Sequence, residues 1–107
     1  MYKLKISPEA KEDLVEIKDY ISKDLCNPPA AINLISKIMQ KIRGLTEHPG
    51  IGVSLSSVLD IRTDYRFLVC GNYLIFYRCE EGIVLVSRIL YGRRNYARIL
   101  FGDLPED

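Results

Sequence analysis

The sequence predicts an α+β domain: an N-terminal strand, an antiparallel helical hairpin, a small and mainly antiparallel curved sheet, and a short C-terminal helix or tail. Three observations predict it. Two amphipathic stretches with helical spacing occupy the first half of the chain. Three apolar, β-branched and aromatic runs fill residues 65–91, separated by Gly71-Asn72 and by Glu80-Glu81-Gly82. The whole chain is 107 residues, which suits one domain, spanning 1–107, around one core.

Tyr2 to Ile6 alternates, with Leu4 and Ile6 facing inward and Lys3 and Lys5 outward, a short first strand whose lysines suit a sheet edge. Ser7-Pro8 starts the first helix. Ser7 caps the free amides, Pro8 takes the first turn and Glu9 favours the positive end of the dipole. Its apolar stripe is Ala10, Leu14, Ile17, Ile21 and Leu25. Asn27-Pro28-Pro29 breaks the chain, and Asn27 caps a second helix with the stripe Ala31, Leu34, Ile35, Ile38, Ile42 and Leu45, widened by Met39. The shared apolar side of such a hairpin needs a partner, and the sheet is the candidate.

His48-Pro49-Gly50 ends that helix, and an edge strand is expected at Val58 to Ile61. Then come strand Tyr65–Cys70, a Gly71-Asn72 turn whose two residues both tolerate positive φ, and strand Tyr73–Cys79, apolar enough to be central and buried on both sides. Strand Ile83–Tyr91 places Val84, Val86, Arg88 and Leu90 on one face and Leu85, Ser87, Ile89 and Tyr91 on the other. An arginine inside such a strand requires a partner or a wet face. Gly92 releases the chain into Arg93-Arg94-Asn95-Tyr96-Ala97-Arg98-Ile99-Leu100-Phe101. As a helix, this segment docks Tyr96, Ile99 and Leu100 on the sheet and leaves Arg93, Arg94 and Arg98 reachable. The acidic stretch 102–107 is expected to fray.

Lysine and arginine total 15 against 14 acids, so net charge says little. The distribution says more. All lysines lie at or before Lys41, whereas Arg62, Arg66, Arg78, Arg88, Arg93, Arg94 and Arg98 face only Asp64, Glu80 and Glu81 over the same span. A local positive field of this kind attracts phosphate. Its structural counterpart is pairing with the acids of the first helix. Three cysteines form neither a disulfide framework nor a metal motif, and no carboxylate or histidine set binds a metal. No cofactor is expected. No apolar run reaches the length of a membrane span and no secretory signal is seen, so a cytoplasmic site without membrane is expected.

The order of these pieces resembles the RelE/ParE superfamily of toxins from bacterial type II toxin–antitoxin modules. The resemblance runs from Tyr2 to about Phe101. It rests on the strand and helical hairpin, on Leu45 to Gly52 with Pro49, on Tyr65-Arg66-Phe67-Leu68, on Gly71-Asn72-Tyr73-Leu74-Ile75-Phe76-Tyr77-Arg78, and on Arg88-Ile89-Leu90-Tyr91-Gly92-Arg93-Arg94. It implies a growth-inhibiting toxin neutralised by a cognate antitoxin protein. The superfamily has two outputs, inhibition of DNA gyrase in ParE-like members and cleavage of messenger RNA on the ribosome in RelE-like ones, and the fold does not choose between them.

The resemblance also assigns residues. The nuclease arginine after the last strand matches Arg94, the strand arginine falls at Leu74, and the C-terminal tyrosine falls near Leu100, one turn beyond Tyr96. Basic residues before the sheet are replaced by Ser54, Ser56 and Ser57. The segment from Gly71 to Arg78 resembles ParE-like sequences more. For gyrase, the target-binding set is Arg93, Arg94, Arg98 and Tyr96. For a metal-free nuclease, Arg66, Arg88 and Arg94 hold phosphate while Tyr77 or Tyr96 stacks or handles a proton. An inactive relative or plain binding module is the third reading.

Overall fold

The computed structural model describes residues 1–102; the acidic stretch expected to fray lies outside them from 103 onward. Strand β1 (Lys3–Ile6) leads into α1 (Pro8–Asp19), which ends in a π-helical turn over Tyr20–Asp24. Helix α2 spans Pro28–Gly44. After it come a two-residue strand β2 (Val53–Ser54), a 3₁₀ turn at Leu55–Ser57, then β3 (Arg66–Cys70), β4 (Tyr73–Glu80), β5 (Ile83–Tyr91) and α3 (Tyr96–Phe101). The five strands form one sheet in the order β1-β5-β4-β3-β2. Every neighbouring pair is antiparallel except β1 with β5, where Lys3 opposes Ile83 and Ile6 opposes Val86 in parallel.

The predicted caps form. The Ser7 hydroxyl oxygen accepts from the Ala10 amide at 3.0 Å and donates to the Ser87 carbonyl at 2.7 Å, so one side chain starts α1 and ties it to β5. Asn27 accepts from the Ala30 amide at 3.2 Å. Between the helices the chain reverses through Cys26 at φ 51°. The hairpin buries Ala10, Ile17, Ile21, Ala31, Ile38 and Ile42 against Ile75, Tyr77, Val84, Val86 and Ile89.

Two expectations, the edge strand and the facing of β5, are corrected, and two are made specific. The edge strand lies at Val53–Ser54, not at Val58–Ile61, because Leu55 turns inward to full burial and the following residues coil over it. In the Gly71-Asn72 turn only Gly71 takes positive φ (59°); the next turn uses both Glu81 (48°) and Gly82 (79°). The facing pattern of β5 inverts midway. Phe76 opposes Arg88 while Tyr77 opposes Val86, leaving Ser87 as the extra residue of a bulge. Ile89 therefore joins Val84 and Val86 in the helix-side core, and Leu90 points into the other. The expected docking of the C-terminal helix is observed, on the far face of the sheet. Leu55, Phe76 and Leu90 form a second core there, covered by Tyr96, Ile99, Leu100 and Phe101 of α3 together with Leu59, Tyr65 and Phe67.

Asp13 is the one charged residue among the buried side chains of the described residues. Arg88 grips it with Nε at 2.8 Å and Nη2 at 2.9 Å, and the Ile89 amide donates to the same carboxylate at 2.9 Å. The pair lies where β1 has stopped at Ile6 and the edge of β5 is otherwise unpaired. Replacing one partner strands a desolvated charge. Asp13→Ala is expected to lower stability by about 3 kcal/mol in chemical denaturation, and Asp13→Leu combined with Arg88→Met to recover most of the loss; an Asp13→Ala protein of unchanged stability would refute this.

Candidate functional site

The arginines singled out from sequence part company in space. Arg88 is committed to Asp13, and that hydrogen bond holds its guanidinium above the ordinary arginine range despite partial burial. Arg66 donates from Nη1 to the Gly52 carbonyl at 2.9 Å, beside β2. Arg78 lies 5.6 Å over the Tyr65 ring and forms long ion pairs to Asp64 (3.9 Å) and Glu80 (3.6 Å). Asp13 borders a hollow that Arg94 also lines, but its carboxylate is taken by Arg88 and forms no ion pair with Arg94. The structure does not gather Arg66, Arg88 and Arg94 around one point.

Tyr77 is fully buried. Its hydroxyl accepts from the Gly52 amide at 2.9 Å and donates to the Pro49 carbonyl at 2.7 Å. Gly52 is required for this approach, since a Cβ there would sit 2.5 Å from the phenol oxygen and 2.8 Å from the Phe67 carbonyl oxygen. Burial pushes the Tyr77 phenol above its ordinary value of 10.0, against the opposing pull of the Gly52 bond. A phenol in this state clamps the loop after α2 to the sheet. It is a poor base.

The second arginine group is presented differently. Gly92 passes close to the β3–β4 turn, donating to the Asn72 carbonyl at 2.8 Å. Arg93 and Arg94 follow on a turn closed by the Arg94 amide to the Tyr91 carbonyl at 3.0 Å. Both side chains are exposed, and among the described residues neither has an ion-pair or hydrogen-bond partner. Among the described residues, neither pairs with an acid of α1; the pairing of a C-terminal arginine with the first helix forms at Arg88 and Asp13. Asn95 then caps α3, accepting from the Arg98 amide, and Arg98 is exposed. Tyr96 is half-buried with its ring 5.2 Å from that of Phe76. Arg93, Arg94, Tyr96 and Arg98 thus lie on one short stretch backed by the second core.

Sequence reading missed two features. Asp13 was legible, because it interrupts the buried spacing of Ala10, Leu14 and Ile17. The other is a groove of about 640 Å³ between the elbow of the helical hairpin and the end of the sheet, lined by Tyr20, Tyr73, Tyr91 and Arg94 among others. Nothing in the spacing of those tyrosines announces it. No group of three or more potential metal ligands occurs among the described residues, and none of their helices is long and apolar enough to cross a membrane.

Tyr77→Phe should cost about 1–3 kcal/mol by leaving the Gly52 amide and Pro49 carbonyl unpaired, while leaving growth inhibition intact; unchanged stability with lost toxicity would instead make the phenol a functional group. Because the folded phenol titrates above its unfolded value, the stability it contributes is complete below pH 10 and is lost as pH rises through the raised value. Alkaline denaturation of the wild type above pH 10 should therefore be steeper than that of Tyr77→Phe.

Known proteins sharpen this reading. A family model described as the ParE toxin of the type II toxin–antitoxin system, parDE, matches residues 4–96. Among solved structures, one titled as the chromosomal ParDE TA system from P. aeruginosa superposes with a TM-score of 0.68 at 22% identity, covering 83% of this chain and 94% of that one. No curated protein matches. The matched span takes in the helical hairpin, the whole sheet and the Arg93-Arg94 turn, and with the shared fold it places this chain in the ParE toxin family of type II toxin–antitoxin systems.

Proposed function

We propose that this protein is the toxin of a type II module, acting as one domain over residues 1–107 in the cytoplasm, and that it arrests growth by inhibiting DNA gyrase until a cognate antitoxin binds it. The observation that carries the gyrase reading is the division among the arginines. Arg66, Arg78 and Arg88 are held by carbonyl or carboxylate partners, whereas Arg93 and Arg94 stand exposed and unpaired among the described residues. An exposed arginine pair backed by packed rings suits recognition of a macromolecular surface, where arginine and tyrosine dominate binding energy. Arg98 and Tyr96 complete that surface.

The nuclease alternative requires a phosphate clamp and a proton acceptor. Of the groups put forward for it, Arg66 and Arg88 are engaged elsewhere and Tyr77 is a buried, reluctant acid. Arg94 and Tyr96 alone remain near one another in sequence. That shortage favours a binding inhibitor over an enzyme.

The test is to express the protein briefly, assay gyrase supercoiling with purified protein, and map cuts in translated messages from the same cells. Gyrase inhibition without codon-positioned cuts is expected; the reverse pattern would establish the nuclease. Replacing Arg93 and Arg94 together with alanine should relieve growth inhibition at an unchanged melting temperature. Full toxicity of that variant would remove the turn from the site. The antitoxin should co-purify as a tight complex, and absence of binding at micromolar concentration would defeat the toxin assignment.

A further inference from the structure

The groove beside Arg94 has a composition that the gyrase reading does not use. Tyr73 and Tyr91 face each other across β4 and β5 with ring centroids 5.8 Å apart. Tyr20, on the π-helical turn, approaches the same pair, and the three phenols lie near enough for Tyr20 and Tyr91 to add to the burial that raises the Tyr73 phenol. Tyr20 is 49% exposed and Tyr91 39%, so the rings are accessible although they pack together. Asn72 lies in the turn at the rim, and Arg94 lines the same hollow with no partner among the described residues.

A nucleotide makes three demands of a site: flat apolar surface for the base, an amide for its edge, and a cation for phosphate. Here all three border one cavity, whose volume of about 640 Å³ is the right size for a single nucleotide. Nearby acid does not cancel the cation. An adjoining hollow shares Tyr20, Tyr73, Tyr91 and Arg94 and also touches Asp13 and Glu16. Asp13 is neutralised by Arg88, and Glu16 is exposed to solvent, where its field is screened.

We propose that this groove binds one nucleotide, its base against the tyrosines, its edge on Asn72 and its phosphate on Arg94. The same chemistry is offered by a free mononucleotide and by an unstacked nucleotide of a single strand. The proposal does not depend on the gyrase target, because binding is read on the purified toxin alone.

The experiment is a titration of the isotopically labelled full chain with AMP, CMP, GMP and UMP, with a short single-stranded oligonucleotide, with the matching nucleosides and with inorganic phosphate. Amide shifts and calorimetry are the readouts. A saturable response below about 1 mM is expected, confined to residues 20–25, 71–73 and 91–94. Nucleoside and phosphate should each bind at least about tenfold more weakly, and Arg94→Ala or Tyr20→Ala should weaken the nucleotide by a similar factor at an unchanged melting temperature. Both Arg94 and Tyr20 are exposed, so a folded variant is available even if one of them disturbs the hairpin. Tighter binding of the oligonucleotide would identify a strand as the source, and tighter binding of a mononucleotide a free ligand. The proposal is overturned if neither saturates, if phosphate alone binds as well as nucleotide, if Arg94→Ala binds normally, or if these resonances move only on adding the antitoxin.

Discussion

A single buried carboxylate organises this molecule. Asp13 receives two hydrogen bonds from the Arg88 guanidinium and one from the Ile89 amide. It therefore satisfies the edge of β5 at the point where β1 ends, and it fixes how α1 crosses the sheet. The bulge at Ser87 belongs to the same arrangement. By inserting one residue, it lets Ile89 enter the helix-side core while Leu90 enters the opposite one. The Ser7 hydroxyl bonds the Ser87 carbonyl, so the start of α1 and its buried acid are attached to neighbouring points of one strand. Removing one half of such a pair is strongly unfavourable, because it leaves the other charge buried and uncompensated.

The consequence for function is a segregation of positive charge by availability. Arginines within the strands are used up by the fold, on Asp13, on the Gly52 carbonyl, or on the Tyr65 ring with its neighbouring acids. Arg93 and Arg94 are held on a turn whose backbone is anchored through Gly92 to Asn72. The second core gives that turn a firm base. Phe76 and Leu90 are buried beneath α3, so this stretch rests on a packed core and not on a bare sheet. Arg93 and Arg94 therefore sit on a backbone-anchored turn with no ion-pair or hydrogen-bond partner for their guanidinium groups among the described residues.

Reading function from such a chain is a matter of knowing which charged groups are free. Sequence placed seven arginines in the C-terminal half and put Arg66, Arg88, Arg93, Arg94 and Arg98 forward for the site. Only coordinates separate them, since a guanidinium satisfied by a carboxylate at 2.8 Å and one facing solvent look identical in a string of letters. The same holds for Tyr77: its neighbours in sequence mark a buried central strand, but only the approach of Gly52 makes its phenol a clamp on the loop after α2.

What the sequence determined by itself was everything carried by local periodicity and backbone preference. Helical spacing defined both helices, serine and asparagine marked their caps, alternation marked the outer lysine-bearing strand, and the apolar run at Tyr73–Cys79 marked the central one. The ordered fragments up to Arg94 sufficed to suggest the toxin family as well. What only the tertiary structure decided depends on residues far apart in the chain: the β5 bulge, the union of Asp13 with Arg88, and the groove among Tyr20, Tyr73 and Tyr91. These arise from contacts between segments separated by tens of residues, where the chain's own geometry sets no preference and burial of the remaining apolar surface makes the choice.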